Sequence, residues 1–272
     1  MKTSAQPDSR FQRDADKYAA YLETPEGRLR QDLAFANLHE FLPSPQPNNS
    51  LSVLDLGCGT GAAAFRLARL NFHLTLLDSS TAMLELARRA ALDAGVTDKI
   101  ALMHGDAAQA ASVFPGRSAD LILCHNLLEY VDDPDAVLRG AARLMRGSSA
   151  LLSLLVRNQA GEVFKAAIQT GDLAAANDGV TADWGQESLY GAKVRLFNLD
   201  SLRDMLKRAS FQVIAERGVR VIADYLPPQV SRSGEYERIF ELERKLGRRA
   251  EFAAVARYIH VLARCGPHSR MV

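Results

Sequence analysis

Apolar residues follow two different spacings along the middle of the chain. Short apolar runs at 52–56 and 73–78 predict buried strands. Each is followed by a segment in which apolar residues recur every three or four positions, as on one face of a helix. Further strand-type runs lie at 99–106, 119–126 and 150–158. Because strands that alternate with helices of this length form parallel sheets, the pattern predicts a doubly wound α/β fold with a mostly parallel sheet.

Three glycines at alternate positions, Gly57, Gly59 and Gly61, connect the first predicted strand to the first helix of this core. Glycine tolerates a positive φ and has no Cβ, so a turn of this composition lets a ligand lie directly against the backbone. The helix that follows directs the free N–H groups of its first turn to the same place. The sequence therefore predicts a ligand-binding turn.

Two classes of nucleoside-containing ligand fit this turn. Gly57, Gly59 and Ala62 match the G-x-G-x-x-G/A spacing of dinucleotide-binding proteins, which favours NAD and an oxidoreductase. Asp55 lies two residues before the first glycine, where a carboxylate would repel a pyrophosphate and attract an ammonium group. The ligand is therefore expected to be cationic at that end. The pattern D-x-G-x-G-x-G resembles the first motif of the S-adenosylmethionine (SAM) dependent methyltransferases, which implies SAM as the ligand. NAD and a non-catalytic nucleotide-binding protein are the alternatives.

Polar residues end three of the following strands, where a doubly wound sheet binds its ligands. Asp78 ends the second strand and could accept hydrogen bonds from both ribose hydroxyls, or cap the next helix. Asp106 ends the third strand, and with the N–H of Ala107 it could contact an adenine edge. His125 follows the fourth strand, where it could act as a base, position a ligand or cap the strand end.

After residue 158 the pattern changes. Residues 159–196 have no clear period, and we interpret them as a substrate-side insertion or a structural excursion. Two late strands with helical segments between them predict an antiparallel C-terminal hairpin that completes the sheet. We expect one domain over residues 1–267, followed by a tail at 268–272. Its N-terminal helical segment covers 1–48 and runs into a proline-rich linker at 43–50. The remaining parts are the cofactor-binding core at 51–158, the insertion at 159–196 and the sheet completion at 197–267.

Cysteine usage and hydropathy limit the class of protein. The three cysteines, Cys58, Cys124 and Cys265, are far apart and form no C-x-x-C motif, which argues for a reducing compartment and against a zinc site. No run of 18 apolar residues occurs, and the first residues have no apolar segment of the signal-peptide type. We expect a cytoplasmic protein with no membrane span and no bound metal.

The charge of the chain is unevenly distributed, although the net charge is only +1. Residues 201–272 contain 14 Lys and Arg against 8 Asp and Glu, and residues 1–200 contain 19 against 24. A basic C-terminal third suits an anionic partner, and it also suits ordinary solvated helix faces. The candidates for phosphate contacts are Arg244, Lys245, Arg248 and Arg249.

Six segments make the chain similar to the bacterial tRNA 5-carboxymethoxyuridine methyltransferases, which are class I SAM-dependent methyltransferases. These are EGRLRQ, VLDLGCGTG, LLDSSTAML, DLILCHNLLEYVDDP, GVRVIADYL and ARYIHVLAR, and the similarity covers most of residues 15–265. The resemblance implies a Rossmann-like fold, SAM as the cofactor and tRNA as the methyl acceptor. A small-molecule acceptor is the alternative, because residues 159–200 depart from the family.

The resemblance also implies which residues contact SAM. In that family they are the arginine of the opening segment, the glycine turn, the acid after the second strand, the backbone after the third and the histidine after the fourth. In this chain these are Arg30, Gly57, Cys58, Asp78, Asp106, Ala107, Ala108 and His125.

The acceptor implied by the resemblance is a wobble-uridine carboxylate. A carboxylate has a pKa of about 4 and is ionised at pH 7, so no general base is needed and no catalytic residue is predicted. One or two arginines would suffice to orient it. Arg195 and Arg220 are the candidates, with structural ion pairs as the alternative for both.

Overall fold

The computed structural model describes residues 9–43, 51–116, 118–187, 189 and 191–266. Apart from Pro43, the predicted linker lies outside these ranges, as does the predicted tail. The strands within the described ranges are β1 (Ser52–Leu56), β2 (His73–Asp78), β3 (Ile100–His104), β4 (Leu121–His125), β5 (Leu151–Arg157), β6 (Trp184–Gln186), β7 (Lys193–Arg195), β8 (Phe211–Val219) and β9 (Tyr258–Cys265).

Seven of these strands form one sheet in the order β3-β2-β1-β4-β5-β9-β8. β1 pairs in parallel with β2 and β4, and parallel pairing continues outwards to β3 and β5. β9 runs antiparallel between β5 and β8. The predicted doubly wound, mostly parallel sheet with an antiparallel C-terminal hairpin is therefore confirmed.

Helices cover the sheet, and several of them begin at a polar side-chain cap. Thr24 Oγ1 accepts a hydrogen bond from the Gly27 N–H at 3.1 Å, and Ser80 Oγ accepts one from the Met83 N–H at 3.2 Å. The described helices are α1 (Ser9–Arg13), α2 (Ala15–Glu23), α3 (Pro25–His39), α4 (Ala62–Arg69), α5 (Thr81–Asp93), α6 (Ala110–Val113), α7 (Pro134–Leu144), α8 (Gln159–Phe164), α9 (Leu173–Gly179), α10 (Leu199–Arg208), α11 (Tyr236–Gly247) and α12 (Ala250–Ala253).

Alternate residues of the central strands face opposite sides of the sheet. In β4, Ile122 and Cys124 belong to the apolar cluster that includes α7 and α10, whereas Leu121 and Leu123 belong to the cluster that includes α4 and α5. Because helices cover both faces, these strands are apolar at consecutive positions, as in other buried parallel sheets.

The insertion at 159–196 is built from short elements. It contains α8, a π-helical segment at Lys165–Gln169, α9 and the antiparallel hairpin β6–β7. None of these elements exceeds seven residues, so no helical or strand period is visible in the sequence of this region.

The carboxyl ends of β1 to β5 meet at one edge of the sheet. The start of β9 and the end of β8 lie at the same edge, since Tyr258 pairs with Arg157 on one side and with Val219 on the other. Ligands of doubly wound sheets bind at this edge. Within the described ranges, no helix has the length and apolar character needed to cross a bilayer.

Candidate active site

A cavity of about 1200 Å³ opens at the carboxyl edge of the sheet. This exceeds the roughly 300–1,000 Å³ of a pocket for one small ligand, so a cofactor and part of an acceptor fit together. Three of the predicted site residues, Asp55, Cys58 and Arg195, do not line the cavity. The predicted residues that do are Arg30, Gly57, Gly59, Asp78, Asp106, Ala107, Ala108, His125 and Arg220.

The turn after β1 requires glycine. Gly57 and Gly59 have φ values of 66° and 54°, in the left-handed region. A Cβ at Gly57 would lie 2.8 Å from Leu127 Cδ1, and one at Gly59 would lie 3.3 Å from the Tyr18 ring. Both residues line the cavity, where they present backbone without a side chain.

Asp55 and Cys58 lie behind this turn. Asp55 is only 4% exposed, and burial together with the nearby Asp78 raises the pKa of Asp55 to about 8. Asp55 is absent from the cavity lining, so the structure does not show the predicted contact between its charge and the ligand. β1 is buried on both faces, so the strand directs this side chain into the protein. Burial also raises the pKa of the Cys58 thiol, which points at the Gly59 carbonyl.

Asp78 and Asp106 organise the backbone at the ends of β2 and β3. The two carboxylate oxygens of Asp78 accept hydrogen bonds from the Gly59 N–H and the Ser80 N–H, each at 2.8 Å. One oxygen of Asp106 accepts from the Ala108 N–H at 2.9 Å and caps the short turn Ala107–Gln109. Both acids thus serve as caps, and both remain in the cavity wall.

His125 begins a chain of buried polar side chains that crosses the sheet. Its Nε2 lies 2.8 Å from Ser153 Oγ, which lies 2.8 Å from His260 Nε2, and His260 Nδ1 lies 3.4 Å from the Asn37 amide nitrogen. Burial and the nearby Arg30 lower the pKa of His125 to about 4. At neutral pH the imidazole is uncharged and is a weak proton acceptor.

Four buried arginines surround the ring of Tyr258. The guanidinium carbons of Arg30, Arg157 and Arg220 lie 5.6, 5.7 and 5.9 Å from its centroid. Burial alone would raise the pKa of Tyr258, but these three arginines and Arg257 lower it to about 7. The positive charges of these arginines therefore converge on the Tyr258 side chain.

Carboxylates balance three of these arginines. Arg157 pairs with Glu162 at 2.9 Å, Arg220 pairs with Asp224, and Arg257 lies 3.1 Å from both of those acids. Arg30 is different. It is 6% exposed, lines the cavity and donates to the Tyr18 hydroxyl at 3.1 Å, but no carboxylate of the described residues pairs with it.

The predicted anion-binding arginines have different positions. Arg220 lines the cavity, where it also donates to the Tyr21 hydroxyl at 2.9 Å. Arg195 lies on the hairpin, with its guanidinium carbon 4.6 Å from the Trp184 ring centroid. Most of the predicted phosphate-binding group is paired: Arg244, Arg248 and Arg249 contact Glu241, Glu40 and Glu251.

Sequence reasoning missed Arg157, Arg257 and Tyr258. Arg157 ends the fifth strand, and the strand-end argument that singled out Asp78 and His125 applies to it equally. Tyr258 could not be found in this way, because it starts a strand. It reaches the site only through the antiparallel pairing of β9 with β5, which places it opposite Arg157.

Comparisons with known proteins identify the family. Residues 27–216 match the family model of a methyltransferase domain. The tRNA 5-carboxymethoxyuridine methyltransferase of Escherichia coli (strain K12) is 32% identical over 264 residues, which cover 94% of this chain and 96% of that protein. The ubiquinone biosynthesis O-methyltransferase of Pseudomonas aeruginosa (strain UCBPP-PA14) is 34% identical, over 41% of this chain and 47% of that protein.

Solved structures share the fold at low sequence identity. A SAM-dependent methyltransferase from Methanosarcina mazei has a TM-score of 0.58 at 16% identity and covers 85% of this chain and 98% of its own. An S-adenosylmethionine-dependent methyltransferase from Mesorhizobium loti has a TM-score of 0.55 at 18% identity, with coverages of 85% and 97%.

The cavity fits the chemical groups of SAM. Arg30 provides a buried guanidinium that no carboxylate of the described residues neutralises, and the glycine turn leaves bare backbone that a Cβ would obstruct. Asp78 ends β2 beside this turn, where its carboxylate accepts from the Gly59 N–H and lines the cavity. The chain belongs to the family of SAM-dependent methyltransferases, and SAM is its cofactor.

Proposed function

We propose that the protein transfers the methyl group of SAM to a carboxylate on a modified wobble uridine of tRNA. The similarity to the E. coli enzyme over 94% of the chain supports a tRNA acceptor, because the ubiquinone biosynthesis O-methyltransferase matches only 41%. The observation that carries the proposal is the pair of buried arginines beside Tyr258, Arg157 and Arg220, which line the cavity and suit an anionic acceptor.

The cofactor half of the cavity lies between the glycine turn, Asp78 and Arg30. In this proposal Arg30 binds the cofactor carboxylate, Asp78 binds the ribose hydroxyls, and Asp106 with the following backbone contacts the adenine. His125 lies between this half and the arginines and positions the reacting groups. When bound, SAM supplies a methyl group on a positively charged sulfur, which a carboxylate oxygen can displace.

The acceptor half surrounds Tyr258. With Arg30 assigned to the cofactor, the basic residues here are Arg157, Arg220, Arg257 and Lys165, and the acids among them are Glu129, Glu162, Glu187 and Asp224. Arg157 and Arg220 line the cavity, and they orient the acceptor carboxylate and exclude water from it. No proton has to be removed from a carboxylate, which agrees with the low pKa of His125.

The test uses the purified protein, methyl-labelled SAM, and two pools of acceptor from cells lacking this gene: tRNA and a small-molecule extract. We expect label in the tRNA, at the wobble nucleoside, in a form that mild alkali releases as methanol, because an ester is hydrolysed and a ring methyl group is not. Label in the small-molecule extract alone, or alkali-stable label in tRNA, contradicts the proposal.

A further inference from the structure

The hairpin β6–β7 has one polar face and one buried face. Trp184 lies opposite Arg195, and Gln186 opposite Lys193, so these four side chains share one face of the two-stranded sheet. On the other face Val194 is buried in an apolar cluster against which Tyr130 packs, and Tyr130 lines the active-site cavity. The turn of the hairpin reaches the same cavity through Glu187 and Leu189.

The polar face combines an exposed aromatic ring with two cations. Trp184 is 42% exposed, although Lys193 Nζ lies 4.9 Å and Arg195 Cζ 4.6 Å from its ring centroid. Neither cation pairs with a carboxylate of the described residues, and Arg195 Nε has no hydrogen-bond partner there. The face thus has unneutralised charge, unlike Arg244, Arg248 and Arg249, which are paired with glutamates.

We propose that this face binds the acceptor RNA outside the cavity, with an unpaired base stacked on Trp184 and neighbouring phosphates on Lys193 and Arg195. This inference rests on the proposed tRNA acceptor. An aromatic ring next to cations is the combination that holds single-stranded nucleic acid, because every base has a π-face and every nucleotide has a phosphate. The hairpin adjoins the cavity, so the bound nucleotides are those next to the modified one in the anticodon loop.

The experiment compares tRNA binding and methylation by full-length variants over a range of salt concentrations. Trp184→Ala should weaken tRNA binding by about tenfold and leave its salt dependence unchanged, while Trp184→Phe restores most of the affinity, because the missing interaction is stacking. Lys193→Gln combined with Arg195→Gln should reduce the slope of log affinity against log salt by about 1.4, because each single-strand phosphate contact contributes about 0.7.

Two controls separate this inference from the proposed function. Arg249→Gln removes a cation that is paired with Glu251 and should change tRNA affinity by less than about twofold. SAM affinity should equal that of the wild type in every variant. If wild-type protein methylates no tRNA, the proposed function fails. If the wild type does methylate tRNA, three results would each overturn the hairpin inference. Trp184→Ala could bind tRNA as tightly as the wild type, Trp184→Phe could fail to restore the affinity, or Arg249→Gln could lose as much tRNA affinity as the hairpin variants. A polyglutamate peptide serves as a further competitor. If the peptide displaces tRNA and binds Trp184→Ala as tightly as it binds the wild type, the face suits an acidic protein partner, and the hairpin inference is overturned.

Discussion

Gly57 and Gly95 have nearly the same backbone conformation, with φ values of 66° and 67°, but different surroundings. A Cβ would meet Leu127 at 2.8 Å at position 57 and nothing within 4 Å at position 95. Both Gly→Ala variants should lose about 1–2 kcal/mol of unfolding free energy from left-handed strain. Only Gly57→Ala should also lower SAM affinity, by about tenfold or more, since its Cβ obstructs the turn. Calorimetric titration with SAM measures this, and equal affinities in the two variants would contradict it.

Asp78 has two roles that one substitution removes together. Asp78→Ala loses the cap on the Gly59 and Ser80 N–H groups and the proposed ribose contacts. We expect SAM affinity to fall by about 1–3 kcal/mol. The matched control is Asp98→Ala, which removes an exposed acid distant from the cavity lining and should not change SAM affinity. A folded Asp78→Ala variant with wild-type affinity would show that Asp78 is a cap only.

The sequence predicted which residues lie at the carboxyl edge of the sheet wherever a residue ends a parallel strand. Asp78, Asp106 and His125 were found because the ends of parallel strands meet at one edge. The orientation of Asp55 was not predictable, because its spacing from the glycines leaves open on which side of the turn the carboxyl lies. Burial decided it, and burial depends on the helices packed against β1.

At the scale of elements, β4, β5, β9 and α3 are joined by the chain His125–Ser153–His260–Asn37. Ser153 is the centre of this chain and is fully buried. Ser153→Ala leaves two imidazole nitrogens without partners and should lower the free energy of unfolding by about 1–3 kcal/mol. It should also slow turnover through His125 without adding a titration limb near pH 6–7.

The control for this prediction is Ser149→Ala, since Ser149 is an exposed loop residue just before β5. Denaturant unfolding and the pH dependence of kcat are measured for both variants. Equal stabilities would show that the chain of side chains does not hold the four elements together. A new limb near pH 6–7 would show that Ser153 suppresses a basic role of His125.

The sheet was predictable because its period is strong. The alternation of strand-type and helix-type patterns predicted the correct order of elements from β1 to β5. The two late strand-type patterns predicted the C-terminal hairpin. The elements of the insertion were not predictable, because elements of three to seven residues complete too few helical or strand periods to be recognised. The arginine cluster depends on pairing between residues about a hundred positions apart, and no local pattern encodes such a register.

At the scale of the whole molecule, Asp55 makes stability depend on pH. Its pKa is about 8 in the folded protein, against about 3.9 in an unfolded chain. Between these values the folded state binds more protons, so the contribution of Asp55 is complete below about pH 4 and is lost as pH rises towards 8. Asp55→Asn, an uncharged isostere, removes this dependence.

Urea denaturation of the wild type and Asp55→Asn at intervals between pH 5 and 9 tests this sign. The unfolding free energy of the wild type, relative to the variant, should decrease by up to about 1.4 kcal/mol per pH unit and level off above pH 8. A constant difference would show that Asp55 is ionised throughout. Shifted groups that do not interact with Asp55, such as His260 and Tyr258, are common to both proteins and cancel in the comparison.

The first helices of the molecule have a consequence for the rate at which ligands are exchanged. Phe11 of α1 lines the cavity and packs edge-on against Tyr130 at 5.0 Å, and Gln12 accepts a hydrogen bond from the Ala82 N–H at 3.2 Å. A helix of five residues is not stable alone, so α1 is held in place by contacts of this kind. Because Phe11 of α1 forms part of the cavity wall, we expect the residence time of the spent cofactor to shorten when the contacts that hold α1 are weakened.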